Sequence, residues 1–90
     1  MSNKIIVFSL KGCGHCVILK KDLNENNIPY TEIEIGENKE IWDQVVEQTG
    51  HNSLPTVFVS LNGEEDGPVF VPGRDYQSKD EIVEIIKTYL

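Results

Sequence analysis

The run from Lys4 to Ser9 constrains the fold most, because its centre, Ile5-Ile6-Val7-Phe8, is continuously apolar, rich in β-branched residues and too short for a core helix. A strand apolar on both faces has to be covered on both, which places it inside a parallel or mixed sheet flanked by helices. Gly12 and Gly14 then interrupt the chain, and from Cys13 onward Val17, Leu19, Lys20 and Leu23 set out a helical pattern that fades at Asn24-Glu25-Asn26-Asn27. Asparagine there can end a helix in the left-handed conformation. After Pro29, Tyr30 to Ile35 alternates polar with apolar, as a half-exposed strand does. This first unit is a βαβ crossover, which is expected to be right-handed with its strands parallel.

Ile41, Trp42, Val45 and Val46 recur at helical spacing between Asn38 and Thr49, with Gly50 as a stop signal. Leu54-Pro55 leads into the strand-like Thr56-Val57-Phe58-Val59. The polar segment from Asn62 to Gly67 then turns the chain into Val69-Phe70-Val71, which reads as a hairpin. Ser78 stands three residues before Glu81, the spacing of a capping box, and Ile82, Val83, Ile85, Ile86 and Leu90 supply a final apolar helical stripe. Phe8, Trp42, Phe58 and Phe70 are expected in the core. The order predicts one α/β domain with a four-stranded mixed sheet and three helices.

Ninety residues suffice for one compact core and are too few for two. A net charge of −7 offers no cationic surface for phosphates and argues against a nucleic-acid partner. The N-terminal Met1-Ser2-Asn3-Lys4 lacks the features of a secretion signal, and no apolar run approaches the roughly 20 residues of a membrane span. A cytoplasmic protein is expected, with no membrane partner. The acidic Glu64-Glu65-Asp66 falls between hairpin strands and is read as a solvated loop.

Chemistry concentrates in Cys13-Gly14-His15-Cys16, the sequence's only cysteines. In a reducing compartment such a pair is more often catalytic or metal-binding than a static cross-link. Two thiols across a strand-to-helix turn close a disulfide with little rearrangement. Unpaired N–H groups at a helix N-terminus favour a thiolate at Cys13. Cys13 would attack a substrate disulfide, and Cys16, one turn further in, would resolve the mixed disulfide. A partly protonated His15 beside the thiolates would stabilise the reduced form and make the disulfide a better oxidant. Zinc ligation by the cysteines with His15 or His51 lacks the second paired ligand set of a structural site, and no metal site is assigned.

Strand, Cys-x-x-Cys, helix, strand, helix, Leu54-Pro55, hairpin, Gly73-Arg74-Asp75 and terminal helix together resemble the glutaredoxin branch of the thioredoxin superfamily along nearly the whole chain. The Cys-Gly-His-Cys string itself is similar to the active site of protein disulfide isomerase. The resemblance implies a thioredoxin-like fold, with residues 1–90 as a single glutaredoxin domain, and glutathione as reducing co-substrate with no tightly bound cofactor. It also implies a cis-proline at Pro55 facing the cysteines, with the Leu54 backbone pairing with glutathione. A Gly-Gly-x-Asp segment holds the γ-glutamyl end in the family; Pro72-Gly73-Arg74-Asp75 keeps Gly73 and Asp75, and Tyr76 stands where a second polar capping residue is common.

Two positions depart from the family pattern. Leu10 occupies the place, three before the nucleophile, where Lys or Arg meets the glycyl carboxylate, leaving Lys11 as the substitute. Gly14-His15 replaces the common Pro-Tyr, and loss of that proline in related proteins accompanies a two-iron cluster bridging two subunits. With His15, a potential at the oxidising end of the glutaredoxin range, about −200 to −230 mV, is expected. The leading function is a monomeric, glutathione-dependent thiol–disulfide oxidoreductase acting on protein disulfides and glutathione mixed disulfides, with ribonucleotide reductase as a client by resemblance. The alternatives are a thioredoxin-like redoxin reduced by a flavoprotein reductase, and a non-enzymatic iron–sulfur or zinc-binding module.

Overall fold

The computed structural model describes residues 3–90. In chain order it comprises β1 (Lys4–Ser9), α1 (Gly14–Glu25), β2 (Thr31–Glu34), α2 (Lys39–Thr49), β3 (Thr56–Ser60), a short 3-10 turn (Leu61–Gly63), β4 (Val69–Phe70) and α3 (Lys79–Lys87). The four strands form one mixed sheet in the order β2-β1-β3-β4. β1 pairs in parallel with β2, and antiparallel pairs join β1 to β3 and β3 to β4. The continuously apolar strand expected at Lys4–Ser9 is therefore central, with neighbours on both edges, and Ile5, Val7 and Phe8 are all buried.

One core cluster joins Ile5, Val7, Val57 and Val59 of the sheet to Leu19 and Leu23 of α1 and to Ile82, Val83 and Ile86 of α3. Phe8 and Trp42 meet as a tilted aromatic pair with centroids 5.6 Å apart. The helix signals lie where the sequence puts them. Asn27 takes the positive φ that closes α1, and Gly50 caps α2. Ser78 Oγ accepts the Glu81 N–H at 3.3 Å, while the Glu81 carboxylate reaches back to the Gln77 N–H at 3.2 Å, one residue before the position of an ideal capping box.

Four details differ from expectation. Val17 and Ile41 are exposed, because the inner face of α1 is made by Cys16, Leu19 and Leu23, and that of α2 by Trp42. Leu90 is 63% exposed: α3 ends at Lys87, and Tyr89 packs against Phe70 in its stead. β4 stops before Val71, whose N–H is captured at 2.7 Å by the Asp75 carboxylate. Phe58 and Phe70 are only partly buried: Phe58, on the interior strand β3, lines an open groove with Ile6, Phe8 and Ile33, and Phe70, on the edge strand β4, packs against Tyr89.

Candidate active site

The loop from β1 to α1 presents the cysteines. Leu10 to Cys13 forms a tight turn in which the Cys13 N–H donates to the Leu10 carbonyl at 3.0 Å. Gly12, third in that turn, takes φ +87°, a conformation that penalises any residue with a Cβ. The Glu34 carboxylate holds the loop from the other side, accepting the N–H groups of Lys11 at 3.4 Å, Gly36 at 3.1 Å and Glu37 at 3.0 Å.

Cys13 is the N-cap of α1, with extended backbone, and its Sγ accepts the Cys16 N–H at 3.3 Å. It is half-buried, whereas Cys16 is wholly buried. Burial, reinforced by the hydrogen bond with Cys13, pushes the Cys16 thiol up to about 12, and the opposing influence of the Leu10 backbone and the Lys20 charge does not offset it. The two thiols are thus unequal: one is accessible and dipole-facing, the other protonated and enclosed.

Beside them lies a cleft of about 400 Å³, lined in part by His15, Ile18, Leu54, Pro55, Tyr76 and Lys79. The Leu54–Pro55 peptide is cis. The Tyr76 hydroxyl donates to the Pro55 carbonyl, and burial, with the nearby charges of Cys16 and Cys13, holds its phenol well above the ordinary value. Pro72-Gly73 makes the second tight turn of the site: Gly73 takes φ +86°, and the Arg74 N–H returns to the Val71 carbonyl at 3.2 Å. Burial alone would raise Asp75, but the Arg74 guanidinium at 2.8 Å and the Val71 N–H outweigh it and hold the carboxyl below the usual range.

Of the residues singled out from the sequence, His15, Leu54, Pro55 and Tyr76 converge on the cleft. Lys11, Gly73 and Asp75 lie outside its lining, with Asp75 already satisfied by Val71 and Arg74. The cleft also takes in Ile18 of α1 and, beside the start of α3, Gln77, Ser78 and Lys79, none of which was read from the sequence as a site residue; the Ser78 cap was the signal that located the last three. Among the described residues no group of three His, Cys, Asp or Glu side chains gathers to hold a metal ion. No helix among them is long and apolar enough to cross a membrane.

An accessible cysteine capping a helix, a buried partner one turn on, and a cleft alongside on a four-stranded mixed sheet define a thiol–disulfide oxidoreductase of thioredoxin-like fold. The glutaredoxin family model matches residues 5–64, and the chain belongs to that family. It is 30% identical over 63 residues to N-acetyl-S-hydroxy-L-cysteine reductase of Bacillus subtilis (strain 168), covering 70% of this chain and 68% of that protein. The chain spans 55% to 60% of the length of the curated glutaredoxins it matches. Among solved structures it resembles a thioredoxin-like protein (TM-score 0.65, 25% identity, covering 97% of this chain and 100% of the other). It also resembles a buckwheat glutaredoxin–glutathione complex (TM-score 0.61, 25% identity, covering 96% of this chain and 70% of the other).

Proposed function

We propose that the protein runs a dithiol cycle with glutathione as reductant, Cys13 attacking protein disulfides or glutathione mixed disulfides and Cys16 resolving them. The observation that carries this reading is the asymmetry of the pair: Cys13 is accessible at the helix start beside the cleft, and Cys16 is buried with its thiol pushed up to about 12. The apolar cleft floor of Leu54, Pro55 and Tyr76 suits an extended peptide-like thiol, and Lys79, whose ammonium is paired with Asp22 and Asp80, lines the same cleft. The reading places the protein as a monomer in a reducing, cytoplasmic compartment, where a Cys-x-x-Cys pair is more often catalytic than a static cross-link. Ribonucleotide reductase remains a candidate client by family resemblance.

The test is coupled reduction of a glutathione mixed disulfide with glutathione, glutathione reductase and NADPH, comparing wild type, Cys13→Ser and Cys16→Ser. Activity abolished by the first change and partly retained by the second is expected. A second reading is favoured by Leu10, 44% exposed where glutaredoxins carry a cation: a thioredoxin-like redoxin reduced by a flavoprotein reductase. Wild type that is inactive with glutathione yet readily forms the Cys13–Cys16 disulfide selects that reading. The Bacillus relative's name adds small cysteine sulfenic acids as substrates to assay alongside.

A further inference from the structure

Outside the lining of the cleft, Lys20, Glu32 and Ser9 form a charged cluster beside the helix that carries the buried thiol. Lys20 stands four residues after Cys16 on α1, so both lie on one helix face, and the side chain of the later residue leans toward the helix N-terminus, over the turn that carries Cys16. Its Nζ lies 2.6 Å from Glu32 Oε2 of β2, and the buried Ser9 hydroxyl, at the end of β1, donates to the same oxygen. Three elements therefore fix one ammonium group near the resolving thiol. The geometry points to Lys20 as a positioning residue for the resolving step, with Glu32 setting how much of its charge reaches Cys16.

This inference rests on the dithiol cycle proposed above. In that step Cys16 sulfur bonds to Cys13 Sγ, the bond between Cys13 and the client sulfur breaks, and the client leaves with the electron pair. The proton given up by Cys16 ends on the departing client thiolate, so the net change is one disulfide exchanged for another. The step requires transient negative charge on a wholly buried sulfur. The groups facing that sulfur are Cys13 at the N-cap, Lys20 along α1 and the Tyr76 phenol from the segment before α3. Only Lys20 among them is cationic. Glu32, and Tyr30 more weakly, act on Lys20 in turn, and the Glu32 carboxyl is held below its usual range by Lys20 first and Ser9 second.

Opposite signs follow for the two partners. Lys20→Met removes the countercharge and leaves Glu32 facing the site; Glu32→Gln releases the ammonium toward sulfur. A shift of half to one pH unit changes the thiolate population about three- to ten-fold, and the lower nucleophilicity of a less basic thiolate returns roughly half of that on a logarithmic scale, leaving about two- to four-fold in rate.

The experiment mixes reduced protein with excess nitrobenzoate disulfide in a stopped-flow instrument. Cys13 attack releases the first coloured thiolate, and Cys16 attack releases the second in a unimolecular phase, followed from about pH 6 to 10. Across this range Lys20→Met is expected to slow the second phase about two- to four-fold and Glu32→Gln to quicken it by a similar factor, while Lys20→Arg keeps the wild-type rate. Second phases that coincide in all four proteins, or Lys20→Met and Glu32→Gln changes of the same sign, overturn the role of Lys20. Wild type that releases no second thiolate overturns the dithiol cycle itself, which separates the two failures.

Discussion

Tyr76→Phe removes a single oxygen from the floor of the cleft and isolates one interaction. Tyr76 is 5% exposed, and its hydroxyl donates to the carbonyl of Pro55, the residue that opens β3 beside the active-site helix. Phenylalanine keeps the ring packing, so the change leaves a carbonyl without its donor rather than a cavity. An unsatisfied buried acceptor costs about 1–3 kcal/mol. For a domain of this size each kcal/mol moves the melting temperature about 4–8 °C, so a fall of at least about 4 °C is expected at pH 7 under reducing conditions. The alkaline limb gives an independent check. Burial raises the phenol above its ordinary 10.0, so the unfolded chain loses this proton first; the associated stability is intact below about pH 10 and declines as pH rises past it. The variant lacks that part of the decline and retains the part from Cys16, whose thiol is raised from 9.0 to about 12. Thermal melts of both proteins from pH 7 to 11 measure both effects. A variant melting within about 2 °C of wild type, with a parallel alkaline limb, would refute the claim that this hydroxyl holds Pro55.

Brief alkylation at neutral pH followed by peptide mapping should label Cys13 well before Cys16, because Cys16 is fully enclosed with its thiol protonated; equal labelling would remove the assigned order of attack. Ser78→Ala deletes the cap on Glu81 and should cost about 1 kcal/mol in urea unfolding, and a cost near zero would mean solvent caps α3 equally well. Asp75→Asn loses the ion pair with Arg74 while keeping an acceptor for Val71. Since Asp75 is held below its ordinary 3.8, the wild-type advantage exists above that pH and vanishes as pH falls through the lowered value, so the melting difference at pH 7 should shrink once the pH is taken below 3.8, and a pH-independent difference contradicts the assignment.

The sheet, its helices and their order were legible because each rests on local chemistry. Ile5 to Phe8 can only be central, Ser78 and Gly50 punctuate the helices, and the cysteine spacing marks a helix start. Less legible was anything that depends on which way a helix rolls. Val17 and Ile18 are as apolar as Leu19, yet both are more than half exposed beside the active site, because α1 presents Cys16, Leu19 and Leu23 to the core. The Lys20–Glu32 pair was invisible for a different reason: its partners lie on α1 and β2, and Ser9 on β1 reaches the same carboxylate only once the parallel β1–β2 register is set. Asp75 looked like a free ligand in sequence, but the turn at Gly73 folds its carboxylate back onto Val71.

The inequality of two chemically identical thiols has a source in helix geometry alone. Cys13 occupies the N-cap of α1 and Cys16 the third helical position, the relation that Ser78 and Glu81 hold in α3. In both helices the cap's side-chain atom accepts the N–H three residues on, at 3.3 Å. Cys13, the proposed nucleophile, is thus a capping residue whose oxygen has been exchanged for sulfur, held half-buried where the N–H groups of the first turn converge. The third position turns one step into the core, which buries Cys16 and keeps its proton on. In the proposed cycle, oxidation would join the cap to the residue whose amide it already caps.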